Sequence, residues 1–327
     1  MKSVFDQILG MQKTHDEPVI LGPSPVTYSD FHRSIDLIEV SLKKMGCVEY
    51  DRVGICLDQS LEYVASLLGI RKRGGVGVLM SLDWTEDELD RIISHSEARF
   101  VITDVPILGT RSPIRHKILG DLNCMILEFE INPETDSLKE DAIIIYSSGT
   151  TGNPKGVVLS DLGISYNVHA VSEYLELCPD DSSPIFTPTC YAYSLSQVLS
   201  HVWAGAAIFP ISTKLIYPAE ILNGISTYGL TGISATPTAY RLLLQVENRL
   251  SFDSIRYVMS GGQSLSLNLC ALLFDKFENS KIINMYGCTE NSPRISYFYV
   301  DGKVGLSRNQ NFSVGKQIIG TNICLYN

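Results

Sequence analysis

The 327-residue sequence lacks the cysteine patterns of a metal site or a disulfide framework. None of its eight cysteines forms a Cys-x-x-Cys pair, and no cysteine–histidine spacing suggests zinc. A disulfide framework is unusual in a chain of this length, of which 45% is hydrophobic, because such a chain can bury a core of its own. The cysteine usage therefore predicts reduced thiols and a cytoplasmic protein.

Positive charge is also scarce. Lysine and arginine number 26 against 36 aspartates and glutamates, which gives a formal net charge of −10. The only tight basic cluster, 71–73, closes an apolar helical pattern, where positive charge suits the carboxyl end of a helix. Because no basic stripe remains to attract phosphates, we expect no nucleic-acid partner.

Long apolar runs are absent as well. The longest, roughly 202–211, contains Gly205 and Pro210 and is too short to cross a bilayer. Residues 1–21 carry acidic side chains and lack the apolar centre of a signal peptide. The sequence thus predicts a protein without a membrane span.

Helical and strand patterns alternate along most of the chain, which favours α/β layers. A polar stretch near residues 132–140 separates two such units, and only strand patterns follow Pro293. We predict two stacked α/β subdomains with mainly parallel sheets, layered αβαβα, over residues 1–140 and 141–300, followed by a segment 301–327. The strand candidates are 53–57, 76–80, 98–103, 142–146, 156–159, 184–187, 206–210, 230–234, 255–259, 281–285, 294–300 and 321–326.

The segment 146–156, with the sequence Y-S-S-G-T-T-G-N-P-K-G, lies between two of these strand candidates. Its three glycines permit a tight turn that brings backbone N–H groups close to an anion. Four hydroxyl side chains add donors, and Lys155 adds a mobile positive charge. A Walker loop does not fit, because Pro154 occupies the place of its second glycine, and no G-x-G-x-x-G follows a strand. The segment predicts a polyphosphate-binding loop of another kind.

Continued by V-V-L-S at 157–160, this segment closely resembles the signature loop of the adenylate-forming (AMP-binding) superfamily. That superfamily includes acyl-CoA and acyl-carrier-protein ligases, the adenylation domains of nonribosomal peptide synthetases, and luciferases. The resemblance implies that the loop and Lys155 cradle the pyrophosphate that leaves ATP.

A second motif corroborates the resemblance. The segment 284–290, N-M-Y-G-C-T-E, closes a strand candidate and is similar to the Y-G-x-T-E motif of the same superfamily. The resemblance implies that Tyr286 stacks on adenine, Thr289 contacts the α-phosphate and Glu290 helps to hold Mg²⁺. These residue types suit those tasks, since an aromatic face suits a base and a hard carboxylate suits Mg²⁺.

Two further segments fit the resemblance. The segment 260–265, S-G-G-Q-S-L, resembles an S-G-G-x-x-L element whose backbone lines the adenine pocket, although a plain turn between strand and helix is the alternative. The segment 313–316, S-V-G-K, resembles the start of the small β-barrel of the superfamily, so that 301–327 is expected to be an incomplete barrel.

Together the motifs imply a set of site residues. The catalytic residues are Lys155, Thr289 and Glu290, and the metal ligands are Glu290 and Thr150. The residues that bind ATP are Ser147, Ser148, Gly149, Thr150, Thr151, Gly152, Lys155, Gly261, Gly262, Gln263, Tyr286, Gly287 and Thr289.

The resemblance implies a ligase that works in two half-reactions. A carboxylate first attacks the α-phosphate of ATP with the help of Mg²⁺, and pyrophosphate leaves. The thiol of CoA or of a phosphopantetheine arm, as on an acyl carrier protein, then takes the acyl group. Positioning and charge stabilisation are the tasks of the protein in the first step, so no cysteine nucleophile is needed.

The class of acid depends on the stretch 188–196. In members that activate amino acids, an aspartate here pairs with the substrate ammonium, and the residue that aligns with it is Ala192. No carboxylate occurs in 182–219, and a buried ammonium without a partner is costly. The sequence therefore favours an acyl, hydroxy-acyl or aryl acid, with an amino-acid adenylation domain as the alternative.

The side chains near this position suggest a pocket for the acid. Tyr191, Tyr193 and Ser194 are its candidate lining residues. The two tyrosines could equally be core aromatics whose hydroxyls are satisfied inside the protein.

The sequence stops at Asn327, where the barrel of the superfamily only begins. Its T-G-D segment, which binds ribose, and its C-terminal lid, which carries a catalytic lysine, have no counterpart here. We expect a truncated form that is weakly active or inactive alone, because the lid supplies charge and excludes water. The alternative is a non-catalytic module that binds nucleotide and acid.

Overall fold

The computed structural model describes residues 2–11, 16–105, 112–131, 138–147, 155–212, 217–247, 250–301 and 312–324. The chain divides into two compact units of mixed α/β structure. Unit 1 comprises Met1–Pro18, Val26–Ser165 and Pro188–Ala192, and unit 2 comprises Val19–Pro25, Tyr166–Thr187 and Tyr193–Asn327.

The helices and strands of the described residues alternate as the sequence pattern predicts. The helices are α1 Val4–Leu9, α2 Tyr28–Lys44, α3 Leu61–Lys72, α4 Glu86–Ser96, α5 Asp161–Leu175, α6 Ala192–Trp203, α7 Pro218–Tyr228, α8 Pro237–Leu244 and α9 Leu267–Lys276. The strands are β1 Pro18–Ile20, β2 Val26–Thr27, β3 Arg52–Cys56, β4 Val76–Leu79, β5 Phe100–Thr103, β6 Arg115–Leu119, β7 Cys124–Glu128, β8 Asp141–Ser147, β9 Lys155–Ser160, β10 Ser182–Ile185, β11 Ala207–Pro210, β12 Gly232–Ala235, β13 Tyr257–Ser260, β14 Lys281–Gly287, β15 Arg294–Val300 and β16 Lys316–Gln317.

Unit 1 is built on a seven-stranded sheet of order β6-β7-β5-β3-β4-β8-β9. Its centre, β5-β3-β4-β8, is parallel, and β7, β6 and β9 join it in antiparallel fashion. The central strands β4 and β5 are buried along their whole length, as expected for parallel strands that are covered on both faces. The hairpin of β8 and β9 therefore extends a rigid sheet.

Unit 2 contains a five-stranded sheet of order β12-β13-β14-β15-β16. The first three strands are parallel, and Ala235, Ser260 and Asn284 lie in register across them. Because parallel strands end at the same edge, the segments after β12, β13 and β14 emerge side by side. The apolar core of this unit packs α7, α8 and α9 against the sheet.

Local signals set several helix ends. Thr85 and Glu88 form a capping box at the start of α4, in which each side chain accepts a hydrogen bond from the backbone N–H of the other. Pro218 occupies the first turn of α7, and Gly229 ends it in a left-handed conformation at φ 60°.

Two predictions about the strands need correction. β8 and β9 belong to the sheet of unit 1, not to a second subdomain that begins at residue 141, because β8 pairs in parallel with β4. Within 312–324 the strand is β16, which pairs with β15 in the open sheet of unit 2, and 321–324 is not a strand. No helix of the described residues is long and apolar enough to span a membrane.

A buried histidine ties α6 to the sheet of unit 2. The two ring nitrogens of His201 each lie 2.8 Å from an oxygen, Nδ1 from the carbonyl of Gln197 and Nε2 from the hydroxyl of Tyr257. Because a carbonyl only accepts, Nδ1 carries the proton and Nε2 accepts from Tyr257. Burial lowers the pKa of His201 to about 4, so the ring is neutral in the folded protein.

Acid is therefore expected to destabilise unit 2 through His201. The pKa of this side chain is 6.5 when unfolded and about 4 when folded, so only the unfolded state gains the proton between these values. We expect the free energy of unfolding to fall by about 2 kcal/mol between about pH 7 and about pH 5. Urea unfolding at the two pH values measures the slope, which His201→Gln should flatten and His116→Gln, at an exposed position, should not. A His201→Gln protein with the slope of the wild type would contradict this origin of the acid sensitivity.

Candidate functional site

The predicted phosphate loop connects β8 to β9 at one end of the sheet of unit 1. Ser147 and Lys155 are register partners at the base of this hairpin, and the side chain of Lys155 is exposed. The hairpin thus presents an exposed ammonium group at its base. Of the predicted ATP-binding residues here, Ser148, Gly149, Thr150, Thr151 and Gly152 lie outside the described residues, as does the side chain of Ser147, so their roles stay predictions.

Tyr146 anchors the strand that leads into this loop. Its hydroxyl lies 2.8 Å from Nδ1 of His95, and its ring meets Trp84 edge to face. A Cβ at Gly156, on the opposite strand, would lie 3.3 Å from the Tyr146 ring. The absence of a side chain at Gly156 therefore lets the tyrosine lie across the hairpin and hold its base.

In unit 2, the edge formed by the ends of β13 and β14 carries the second and third motifs. Gly261 follows β13, and a Cβ there would lie 2.7 Å from the Met285 side chain and 2.9 Å from the Tyr193 ring. Gly262 has φ +80°, which favours glycine, and the exposed Gln263 accepts a hydrogen bond from Thr238 at 2.8 Å. The backbone is thus closely packed at this edge, as a pocket lined by main chain requires.

The Y-G-C-T-E motif forms a turn that leaves β14 and enters β15. Tyr286 is 50% exposed at the end of β14, and Glu290 is exposed on the 3-10 turn Thr289–Asn291. Gly287 contacts the returning strand so closely that a Cβ would lie 1.9 Å from the carbonyl oxygen of Pro293. An aromatic face, a hydroxyl and a carboxylate are therefore presented to solvent on one fixed turn.

The side chain of Asn167, on α5, fixes the backbone of this turn. It is buried, and its amide donates to the carbonyl oxygens of Asn291 at 3.5 Å and Arg294 at 3.0 Å. Its own oxygen accepts a hydrogen bond of 3.0 Å from Ser196. The sequence does not reveal this role of Asn167, because no local pattern links residue 167 to a turn more than 120 positions later.

Cys288 lies inside the motif but is not activated as a nucleophile. Burial and the neighbouring Glu290 carboxylate raise the pKa of its thiol. Glu290 itself remains an exposed hard oxygen donor, the type of ligand that suits Mg²⁺. No cluster of three potential metal ligands occurs among the described residues, and Thr150, the other predicted ligand, lies outside them.

The candidate acid pocket divides between exposed and buried residues. Tyr191 is 49% exposed and belongs to unit 1, whereas Tyr193 and Ser194 belong to unit 2. Tyr193 is partly exposed and donates a long hydrogen bond of 3.4 Å to the carbonyl of Met259. Ser194 is fully buried, and its hydroxyl has no partner among the described residues.

The sequence of the chain is similar to those of known enzymes. A protein-family model described as AMP-binding enzyme matches residues 10–327. Tyrocidine synthase 2 of Brevibacillus parabrevis is 25% identical over 296 residues, which cover 88% of this chain and 8% of that protein. Naringenin synthase of Pestalotiopsis fici is 28% identical over 317 residues, which cover 87% of this chain and 12% of that protein. The chain thus spans 12% or less of the length of these curated relatives.

Solved structures are similar over nearly the whole chain. The N-terminal domain of FACL13 from Mycobacterium tuberculosis, in an inhibitor-bound crystal structure, has a TM-score of 0.81 at 18% identity and covers 98% of this chain and 83% of that one. The N-terminal subdomain of NpsA from Klebsiella oxytoca, in complex with 3-hydroxyanthranilyl-AMSN, has a TM-score of 0.80 at 21% identity, with 98% and 81% covered. At such identities the likeness shows a shared fold.

Proposed function

Because the chain belongs to the family of AMP-binding enzymes, we propose that it activates a carboxylic acid with ATP, forming an acyl-adenylate and releasing pyrophosphate. The observation that carries the proposal is the turn after β14. It exposes Tyr286 and Glu290 on a backbone that Gly287 and Asn167 hold tightly. A rigid turn with these side chains suits a nucleotide and its metal ion, since preorganised groups need no reordering during the reaction.

Each side chain has a task in the first half-reaction. The half-exposed ring of Tyr286 stacks on adenine, and the hydroxyl of Thr289 donates to an oxygen of the α-phosphate. Lys155, exposed at the base of its hairpin, neutralises charge on the departing pyrophosphate. Glu290 holds Mg²⁺, which when bound offsets the negative charge of the phosphates. The acid itself is oriented in unit 2 near Tyr193.

We further propose that the acid carries no α-ammonium group. Ala192 aligns with the expected carboxylate, and the guanidinium of Arg294 lies against the Tyr193 ring, with its Cζ 4.8 Å from the ring centroid. A positive charge there repels an ammonium, so an acyl, hydroxy-acyl or aryl acid is favoured. The acceptor in the second half-reaction is the thiol of CoA or of a carrier-protein phosphopantetheine.

ATP–pyrophosphate exchange tests the proposal. The 327-residue chain is assayed with Mg-ATP and separate pools of fatty, hydroxy, aryl, dicarboxylic and amino acids. We expect exchange with at least one pool that lacks amino acids, and binding of the matching acyl-sulfamoyl-adenosine, a stable analogue of the acyl-adenylate, at least about a hundredfold tighter than the acid alone. The analogue gives a readout that does not depend on turnover.

Two outcomes would contradict the proposal. If Mg-ATP binds but no acid supports exchange and no analogue binds tightly, the chain is a nucleotide-binding module. If only amino acids support exchange, adenylation stands and the acid class is wrong.

A further inference from the structure

Arg294 is the largest fully buried side chain of the described residues, with 0% of its surface exposed. Its Nε donates to the hydroxyl of Ser196 at 3.1 Å, and its Nη1 donates to the hydroxyl of Tyr174 at 3.1 Å and to the sulfur of Met259 at 2.7 Å. Its Nη2 has no partner among the described residues. These contacts are all with neutral groups.

Other arginines of the chain form ion pairs. The described residues pair Arg52, Arg71, Arg99, Arg115 and Arg256 with carboxylates. Arg294, which is the most deeply buried, has no carboxylate within ion-pair distance among the described residues. A guanidinium keeps its charge under all ordinary conditions, and burying a charge without an opposite one is costly. Hydroxyls and a thioether offset only part of that cost, because they are weak or neutral acceptors.

Arg294 also lies next to the groups that would act on the acid. It begins β15 and is the register partner of Gly287 in the Y-G-C-T-E motif. Asn167 binds both the carbonyl of Arg294 and that of Asn291 in the turn, so the backbone of the arginine is fixed to the turn that carries Thr289 and Glu290. A ligand held at the turn therefore has this guanidinium on the inner side of the same sheet edge.

The aromatic ring of Tyr193 packs against the guanidinium. The centroid of the Tyr193 ring is 4.8 Å from Cζ of Arg294, a cation–π distance, and Tyr193 is partly exposed while Arg294 is not. The hydroxyl of Tyr193 donates a long hydrogen bond of 3.4 Å to the carbonyl of Met259. Access to the guanidinium from this side requires the Tyr193 ring to move.

We propose that Arg294 binds a second carboxylate at the far end of the acid, so that the substrate is a dicarboxylic acid. This inference rests on the proposed function. One carboxylate of the acid is adenylated at the Thr289–Asn291 turn, and the other displaces the Tyr193 ring and pairs with Nη2 and Nη1. A carboxylate matches the guanidinium in charge and geometry and supplies the anion that the protein itself does not provide.

The experiment compares diacids with their half-esters. Exchange is measured for the dicarboxylic acids from malonic to suberic acid and for the monomethyl ester of each, which keeps one carboxylate for adenylation. We expect at least one diacid to exceed its half-ester about tenfold or more in kcat/KM, the gain of one charge-assisted pair. Arg294→Met should lower kcat/KM for that diacid about tenfold or more and leave that for the half-ester equal or higher, and Arg294→Lys should be intermediate.

Arg241→Met is the matched control, since Arg241 is exposed on α8 in the same unit. Thermal unfolding of Arg294→Met separates binding from a structural role. If Arg294 serves to bind an anion, its replacement by Met leaves the melting temperature of the free protein unchanged or raises it. If Arg294 is structural, the same replacement lowers the melting temperature. Saturating diacid should then stabilise the wild type and not the variant.

Defined results would overturn the inference. It fails if monocarboxylic acids or half-esters exchange as well as every diacid, or if Arg294→Met changes both classes by the same factor; the proposed adenylation stands in either case. If Arg294→Met does not fold, the inference is tested by the diacid preference of the wild type and by the reduction of that preference in Arg294→Lys. If no acid of any class supports exchange and no acyl-sulfamoyl-adenosine analogue binds tightly, the proposed function itself has failed and the inference falls with it.

Discussion

Replacing Glu290 with glutamine is expected to lower ATP–pyrophosphate exchange by about a hundredfold or more, the usual effect of removing one charge-stabilising group from such a site. Glu290 is exposed on the turn after β14 and is a proposed Mg²⁺ ligand. Glutamine keeps the size of the side chain and removes its charge, so the affinity for Mg²⁺ should fall while the fold is unaffected. Exchange assayed over a range of Mg²⁺ concentrations measures both effects.

The matched control is Glu278→Gln, at another exposed position in unit 2. It should retain the exchange rate and the Mg²⁺ dependence of the wild type. Exchange by Glu290→Gln within about threefold of the wild type would remove Glu290 from the proposed site. A lower melting temperature of Glu290→Gln would instead assign the loss to the fold.

Replacing Gly287 with alanine is expected to destabilise unit 2 by about 3 kcal/mol or more and to abolish tight binding of Mg-ATP. The added Cβ would lie 1.9 Å from the carbonyl oxygen of Pro293 and 3.0 Å from Cα of Arg294. Both neighbours are backbone atoms, so β14 and β15 must separate where they carry Tyr286 and the turn with Glu290. Urea unfolding and calorimetric titration with Mg-ATP measure the two consequences.

Gly120→Ala provides the comparison for this change. A Cβ at Gly120 would have nothing within 4 Å, and its free energy of unfolding should stay within about 0.5 kcal/mol of the wild type. A Gly287→Ala protein that unfolds like Gly120→Ala and binds Mg-ATP normally would show that the close approach of the two strands is not needed for the site.

The two buried polar residues below the turn give the proposals a common physical basis. Asn167 fixes the backbone of the turn, and Arg294 brings to the same place a charge that has no anion beside it among the described residues. In the proposed site, ATP lies on the exposed side of the turn and the acid lies on the side of Arg294. Such an arrangement aligns the carboxylate with the α-phosphate, so that little entropy is lost at the moment of reaction.

The resemblance that the sequence analysis drew from two short motifs is confirmed by the family match over residues 10–327. The α/β class and most strand positions are confirmed as well. Such features can be predicted because they are local: strand periodicity, capping residues and glycine-rich turns each act within a few positions. The roles of individual site residues stay predictions, most of all those of 148–152, which lie outside the described residues.

By itself the sequence determined which segments form strands and helices and which segments resemble the motifs of the family, because those properties belong to short stretches of chain. Only the tertiary structure decided which strands pair. The run 141–147 looked like the start of a second subdomain, yet it completes the sheet of unit 1 beside β4, since a strand pattern does not specify its partner. In the sequence, Arg294 is recognisable only as the first residue of a strand candidate. The fold reveals its contact with Ser196, 98 positions earlier, and shows that no anion among the described residues accompanies this buried charge. Burial depends on the whole fold. Because a buried charge without an opposite charge is costly, the burial of Arg294 is what points to a ligand that carries an anion.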